Sequence, residues 1–136
     1  MSQSKEPEMA YESTQANIGT WTAGADLSSS QYMFVKFTAA NSVIACTAIT
    51  DVPCGVLQNN PVSGGAANVC IGGASKVAVH ATLAAGDVIG VHSNSKALPI
   101  VAGTDTTQYV LGQATEVGAS GGISTITVNI TNGRAA

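Results

Sequence analysis

Residues 55 to 91 read GVLQNNPVSGGAANVCIGGASKVAVHATLAAGDVIGV. Valine and isoleucine recur here at spacing two, Val69 with Ile71 and Val77 with Val79, which is the period of a strand with one buried face. Pro61, Gly64-Gly65, Gly72-Gly73 and Gly86-Asp87 punctuate these runs and predict tight connections between strands. Reactive side chains are almost absent, so the stretch reads as scaffold without chemistry.

The same pattern extends outward in both directions. Upstream, Met33, Val35 and Phe37 alternate with Tyr32, Phe34 and Lys36, and a second run from Val43 to Ile49 follows a turn at Ala40-Asn41. Downstream, strands are expected near 88–92, 97–101, 109–114 and 123–130, with turns at Ser93 to Lys96 and Gly118 to Gly122. The last run alternates cleanly, Ile126, Val128 and Ile130 against Thr125, Thr127 and Asn129. The best helical candidate, Leu83 to Ala85, is ended at once by Gly86. Leucine occurs only at positions 27, 57, 83, 98 and 111, while the β-branched residues that favour pleated strands are abundant. About nine short strands separated by turns predict an all-β domain, a compact antiparallel β-barrel or sandwich of small jelly-roll or β-tulip-like form.

A chain of 136 residues suits one domain. Residues 1–29 differ from the rest: they are rich in Ser, Thr and Gln and keep no sustained period. They are read as an extended N-terminal arm that contacts neighbouring subunits, and residues 30–136 as the single all-β domain. The arm's large apolar residues, Met9, Tyr11, Ile18 and Trp21, are too widely spaced for a core of their own and are the candidate contact anchors.

Only 4% of residues are aromatic, so the core must rest on small aliphatic side chains. Large rings bury the most apolar surface, and a ring-poor domain is expected to draw part of its stability from association. The net charge is −3, and the five basic residues, Lys5, Lys36, Lys76, Lys96 and Arg134, are scattered. That distribution argues against nucleic acid, which requires a clustered basic footprint. No 18-residue apolar run is available to span a membrane, and the N-terminus lacks the basic start and apolar run of a secretory signal, so synthesis in the cytoplasm is expected. The sequon at Asn129 to Thr131 is accordingly read as unused.

The chemistry-bearing residues suggest no catalytic site. Cys46, Cys54 and Cys70 form neither an even set nor a CxxC spacing and are read as small buried thiols of a reducing compartment. His80 with Asp87, or His92 with Asp105, can be paired on paper with Ser75, Ser93 or Cys54 as nucleophile, but no nucleophile elbow or HExxH frames them. Lys76 follows glycines without the Gly-Lys-Ser/Thr order of a phosphate loop, and Val77 and Val79 continue a strand where that loop needs a helix. Asp87 is read as a turn cap behind Gly86. No enzyme activity, cofactor or metal is expected.

Three pieces in order carry a resemblance: Gly-Val-Leu-Gln-Asn with its Pro-containing turn (Gly55 to Pro61), the Ala-Gly-Asp-Val entry turn (Ala85 to Val88), and Leu-Gly-Gln-Ala (Leu111 to Ala114) leading through a Gly-rich turn to the terminal alternating strand. Over residues 31 to 131 the chain resembles the small capsid cement, or head decoration, proteins of tailed bacteriophages. The resemblance implies a non-enzymatic virion protein on the outer surface of a phage head, a homotrimer that binds the major capsid protein, ties neighbouring subunits together and stabilises the expanded shell. The competing expectation is a receptor- or glycan-binding head fibre or knob module, which is also all-β and low in charge.

Overall fold

The computed structural model describes residues 17–101, 103–130 and 133. Among them the chain forms nine strands and no helix: β1 (Asn17–Ala23), β2 (Phe34–Ala39), β3 (Ser42–Ala45), β4 (Gly55–Leu57), β5 (Ala66–Ala78), β6 (Val88–Val91), β7 (Ala97–Pro99), β8 (Gly112–Ala114) and β9 (Ile123–Asn129). The expected all-β architecture is the one observed. The ladders are antiparallel except for β1 against β3, which run parallel through Thr22 with Ser42 and Ala23 with Val43.

The strand order is β1-β3-β2-β4-β5-β9-β8-β6-β7, and β1 also pairs with β5. The first five strands therefore close on themselves as a ring, leaving no free edge between β1 and β5. A second circuit runs from β5 through β9, β8, β6 and β7, and returns to the end of β5 at a bridge between Val79 and Ala97. The His80 N–H donates to Ala97 O at 2.7 Å beside that bridge. β5 belongs to both circuits.

Two apolar clusters fill this arrangement. Ala23, Leu27, Val35, Val43, Leu57, Ala67 and Val69 form one, contributed wholly by the first ring and the loop after β1. The other joins Phe34, Val56 and Cys70 to Val77, Val79, Ile89, Leu111, Ile126 and Val128 of the second circuit. Adjacent residues of one strand thus serve different cores: Phe34 and Val35 on β2, Val56 and Leu57 on β4, Val69 and Cys70 on β5. Successive side chains of a strand point to opposite faces, so these three strands are covered on both sides. β4 is buried at all three positions for this reason.

The Gly72-Gly73 pair, expected to be a connection, lies inside the 13-residue β5. Asn17 pairs with Gly72 but Ile18 pairs with Cys70, so Ile71 is the extra residue of a β-bulge. An uninterrupted alternation would keep Val77 on the face of Val69. The inserted residue, followed by Gly73 at φ 91°, moves Val77 and Val79 to the other core. Two runs that look like separate strands are one strand that changes sides.

The boundary drawn at residue 29 is also corrected. Asn17–Ala23 is a strand of the ring, held along β5 from Asn17–Gly72 to Thr22–Ala66, and Leu27 is fully buried in the ring's core. Met9 and Tyr11 lie outside the described residues.

The tip of the β6–β7 hairpin ties the circuits together. Ser95, at φ 72°, is buried; its backbone oxygen accepts from the Phe34 N–H at 2.9 Å and its hydroxyl donates to Cys46 O.

Candidate functional site

The polar residues that might have done chemistry are occupied by structure. Asp87 accepts the Ala84 N–H at 2.8 Å with Gly86 at φ 90°, the turn cap read from the sequence. Asp105 accepts the Val101 N–H at 2.7 Å. Neither carboxylate serves a histidine. Instead His80 and His92 stack on each other, with ring centroids 3.6 Å apart and planes 10° from parallel, and Asn94 Nδ2 lies 3.0 Å from His80 Nδ1. Ser75 donates its hydroxyl to Lys76 O and accepts from Gln58 Nε2, so it is a buried structural link. Lys76 extends over the Tyr32 ring, with Nζ 5.8 Å from the centroid.

The three cysteines are free thiols, Cys46 and Cys70 buried and Cys54 half-buried. Burial pushes the Cys46 thiol up to about 12 and the Cys54 thiol to about 11, and raises that of Cys70 as well. Thiols with such values carry almost no thiolate at neutral pH. No cluster of three or more His, Cys, Asp or Glu side chains with metal-binding geometry occurs among the described residues.

The Asp51 carboxyl is displaced from its ordinary pKa. Desolvation raises its pKa, but the Thr47 and Ala48 amides, at 2.8 and 3.1 Å, and the Lys36 ammonium, at 2.9 Å, outweigh this and leave it below the ordinary value of 3.8. A depressed native pKa contributes stability that is full above the ordinary value and is lost as pH falls through the native one. Asp51→Ala is expected to cost about 1 kcal/mol at pH 7. That margin over the variant should shrink in thermal melts taken at decreasing pH below 3.8. A margin that stays constant to pH 2 would assign the effect to something other than the charge.

What remains is surface. Trp21 packs edge-on against Phe37, ring centroids 5.1 Å apart, over the end of the ring's core. On one side lies a shallow cleft of about 390 Å³ bordered by Thr20, Thr22, Asn41 and Gly64 to Ala66. On the other, Phe37, Val52, Pro53, Cys54, Ile71 and Ile130 line an apolar groove of about 360 Å³. Phe37 is 49% exposed and Val52 46%, so the groove is open to solvent. The Lys36–Asp51 ion pair is adjacent in sequence to two of the lining residues, Phe37 and Val52.

Of the four anchor candidates, Ile18 and Trp21 fall on β1, three residues apart and therefore on opposite faces. Ile18 is 45% exposed, whereas Trp21 is half-buried against the ring's core. The two do not form one patch. The groove residues were not legible as a site, because Phe37 sits in phase with Val35 and reads as core, and its partners come from distant parts of the chain. Only the register of β2 and β5 brings them together.

No family model and no curated protein matches the chain. Among solved structures, it is similar to the N base of the head fiber gp8.5 of bacteriophage phi29, with a TM-score of 0.64. The two share a fold. The likeness covers 85% of this chain and 98% of that one at 18% identity.

Proposed function

We propose that the chain is a non-enzymatic structural protein of a phage virion, seated on the outer surface of the head and bound to the major capsid protein. The observation that carries this reading is the likeness in fold to a head-fibre base over 85% of this chain and 98% of that one. The occupied state of the histidines and carboxylates agrees with it, since such a domain is left with its surface as its means of action. A base that seats a head fibre and a cement that ties capsid subunits together make the same first demand, a rigid β body held on the shell. The likeness favours the fibre-base role, and cementing of the expanded shell is the second reading, carried by the order of turns and strands over residues 31 to 131.

A homotrimer suits both roles, because three linked contacts convert modest single-site affinity into firm retention through effective concentration. Light scattering on the purified chain should give close to three times 13.5 kDa. Mixed with expanded heads assembled without it, the chain should sediment with them to a saturable level. A chain that stays in the supernatant at all concentrations overturns the proposal. Particles lacking the chain separate the two roles: survival of heating or low magnesium at the wild-type level supports a fibre base, and loss of survival supports a cement.

A further inference from the structure

We propose that the outward face of β5 and β9, centred on Lys76 and Tyr32 and flanked by Ile123 and the His80–His92 stack, docks on an acidic patch of the major capsid protein. The proposal deepens the virion reading and rests on it. The face itself follows from register. Val77 and Val79 point into the core, so Lys76, Ala78 and His80 point away from it. Ala78 pairs with Ile123, and paired residues share a face, so Ile123, 55% exposed, stands on the same side. The Tyr32 ring reaches this side too, since Lys76 Nζ lies 5.8 Å from its centroid. His80, with His92 stacked on it, follows four residues on, about 13 Å along the strand.

Charge complementarity names the partner. Among the described residues no carboxylate lies within ion-pair distance of the Lys76 ammonium. Four of the chain's own carboxylates are engaged elsewhere: Asp51 pairs with Lys36, and Asp26, Asp87 and Asp105 each accept an amide N–H of their own turn. The histidine stack takes its polar contacts from Ser93 and Asn94. An acidic chain, of net charge −3, thus leaves this ammonium without a counter-charge of its own, and a carboxylate of the partner would supply it.

Tyr32 is an independent sign that the face is used. Its φ is 65°, a left-handed backbone that a bulky side chain rarely adopts. Both of its backbone groups hold it there: the N–H donates to Leu57 O at 2.7 Å, and the oxygen accepts from the Ala78 N–H at 2.8 Å. Glycine or asparagine would meet the same backbone demand with less strain, so the position does not call for a tyrosine on conformational grounds. What the tyrosine adds is a ring presented beside Lys76, and tyrosine is among the residues that most often dominate protein contacts.

Expanded heads assembled without the chain are sedimented with wild type, Lys76→Gln, Tyr32→Asn and Phe37→Ala, and bound chain is measured against concentration. Lys76 is exposed, so its replacement leaves the fold intact, and asparagine accepts the backbone angle of Tyr32. Lys76→Gln and Tyr32→Asn should each weaken binding about tenfold, whereas Phe37→Ala, which alters the apolar groove, should bind as wild type does. Added NaCl should weaken the wild type more than Lys76→Gln. Wild-type affinity in Lys76→Gln overturns the proposal, and so does a loss confined to Phe37→Ala, which would move the contact to the groove. A wild-type chain that does not sediment overturns the virion reading and this proposal with it. Wild-type sedimentation matched by every variant overturns this proposal alone.

Discussion

Phe34→Ala is expected to destabilise the domain by about 4 kcal/mol and to lower its melting temperature by roughly 12 °C. Among the described residues Phe34 is the largest fully buried side chain, in a protein with only 4% aromatic residues, so its removal empties volume that small neighbours cannot refill. The position is also a junction. Its side chain belongs to the core that spans both circuits, its neighbour Val35 belongs to the ring's own core, and its N–H is held by Ser95 at the tip of the β6–β7 hairpin. Phe34→Leu keeps most of the volume and should cost about 1.5 kcal/mol. Phe37→Ala, at a ring that is 49% exposed, should cost less than either. Because β2, β4 and β5 serve both cores, urea unfolding should remain a single transition in wild type and variants. Two separated transitions in Phe34→Ala would mean that the circuits are independent units, contrary to the shared strands.

The elements that could be read from the sequence are those whose signal is local. β9 alternates because one face meets a core and the other meets water, and the structure buries Ile126 and Val128 while exposing Thr127 and Asn129. The Gly86-Asp87 turn is legible because one side chain closes it on a nearby amide. β1 was not legible for a specific reason. Its inward positions are Gly19, Trp21 and Ala23, and two of these three carry almost no hydrophobic signal. A β-carbon at Gly19 would meet the Trp21 ring, which would have to shift to admit it. The ring therefore closes with a strand that looks like a polar tail.

The unity of β5 was hidden by the opposite effect. Two adjacent glycines between short apolar runs are the ordinary mark of a turn, and only the pairing with β1 and β9 on either side of Gly72 shows a bulge instead. The groove depends on that bulge, because the extra residue is Ile71, one of its walls. The feature least visible in the sequence thus shapes one wall of the apolar groove.

Gly112→Ala should be the most damaging of the single-methyl substitutions, at about 3 kcal/mol. Gly112 sits in β8 between Ile89 of β6 and Val128 of β9, with φ 156°. A β-carbon there would run into the Thr127 carbonyl oxygen and come within 2.9 Å of its carbon and 3.4 Å of Val128 Cα. All three are backbone atoms, so no side chain can rotate away, and relief requires β8 and β9 to part. Parting them also loosens β6, because β8 is the only strand that joins β6 to β9. Gly121→Ala provides the contrast: its φ is 82°, but nothing lies within 4 Å of the added carbon, so the cost is conformational alone, about 1 kcal/mol. Hydrogen exchange separates the mechanisms. Gly112→Ala should speed exchange in β6, β8 and β9 while the ring from β1 to β4 keeps its protection, and Gly121→Ala should change only its own turn. Equal melting temperatures for the two variants would show that the sheet yields at Gly112 at little cost, and the close approach of β8 to β9 would then not be a constraint on the fold.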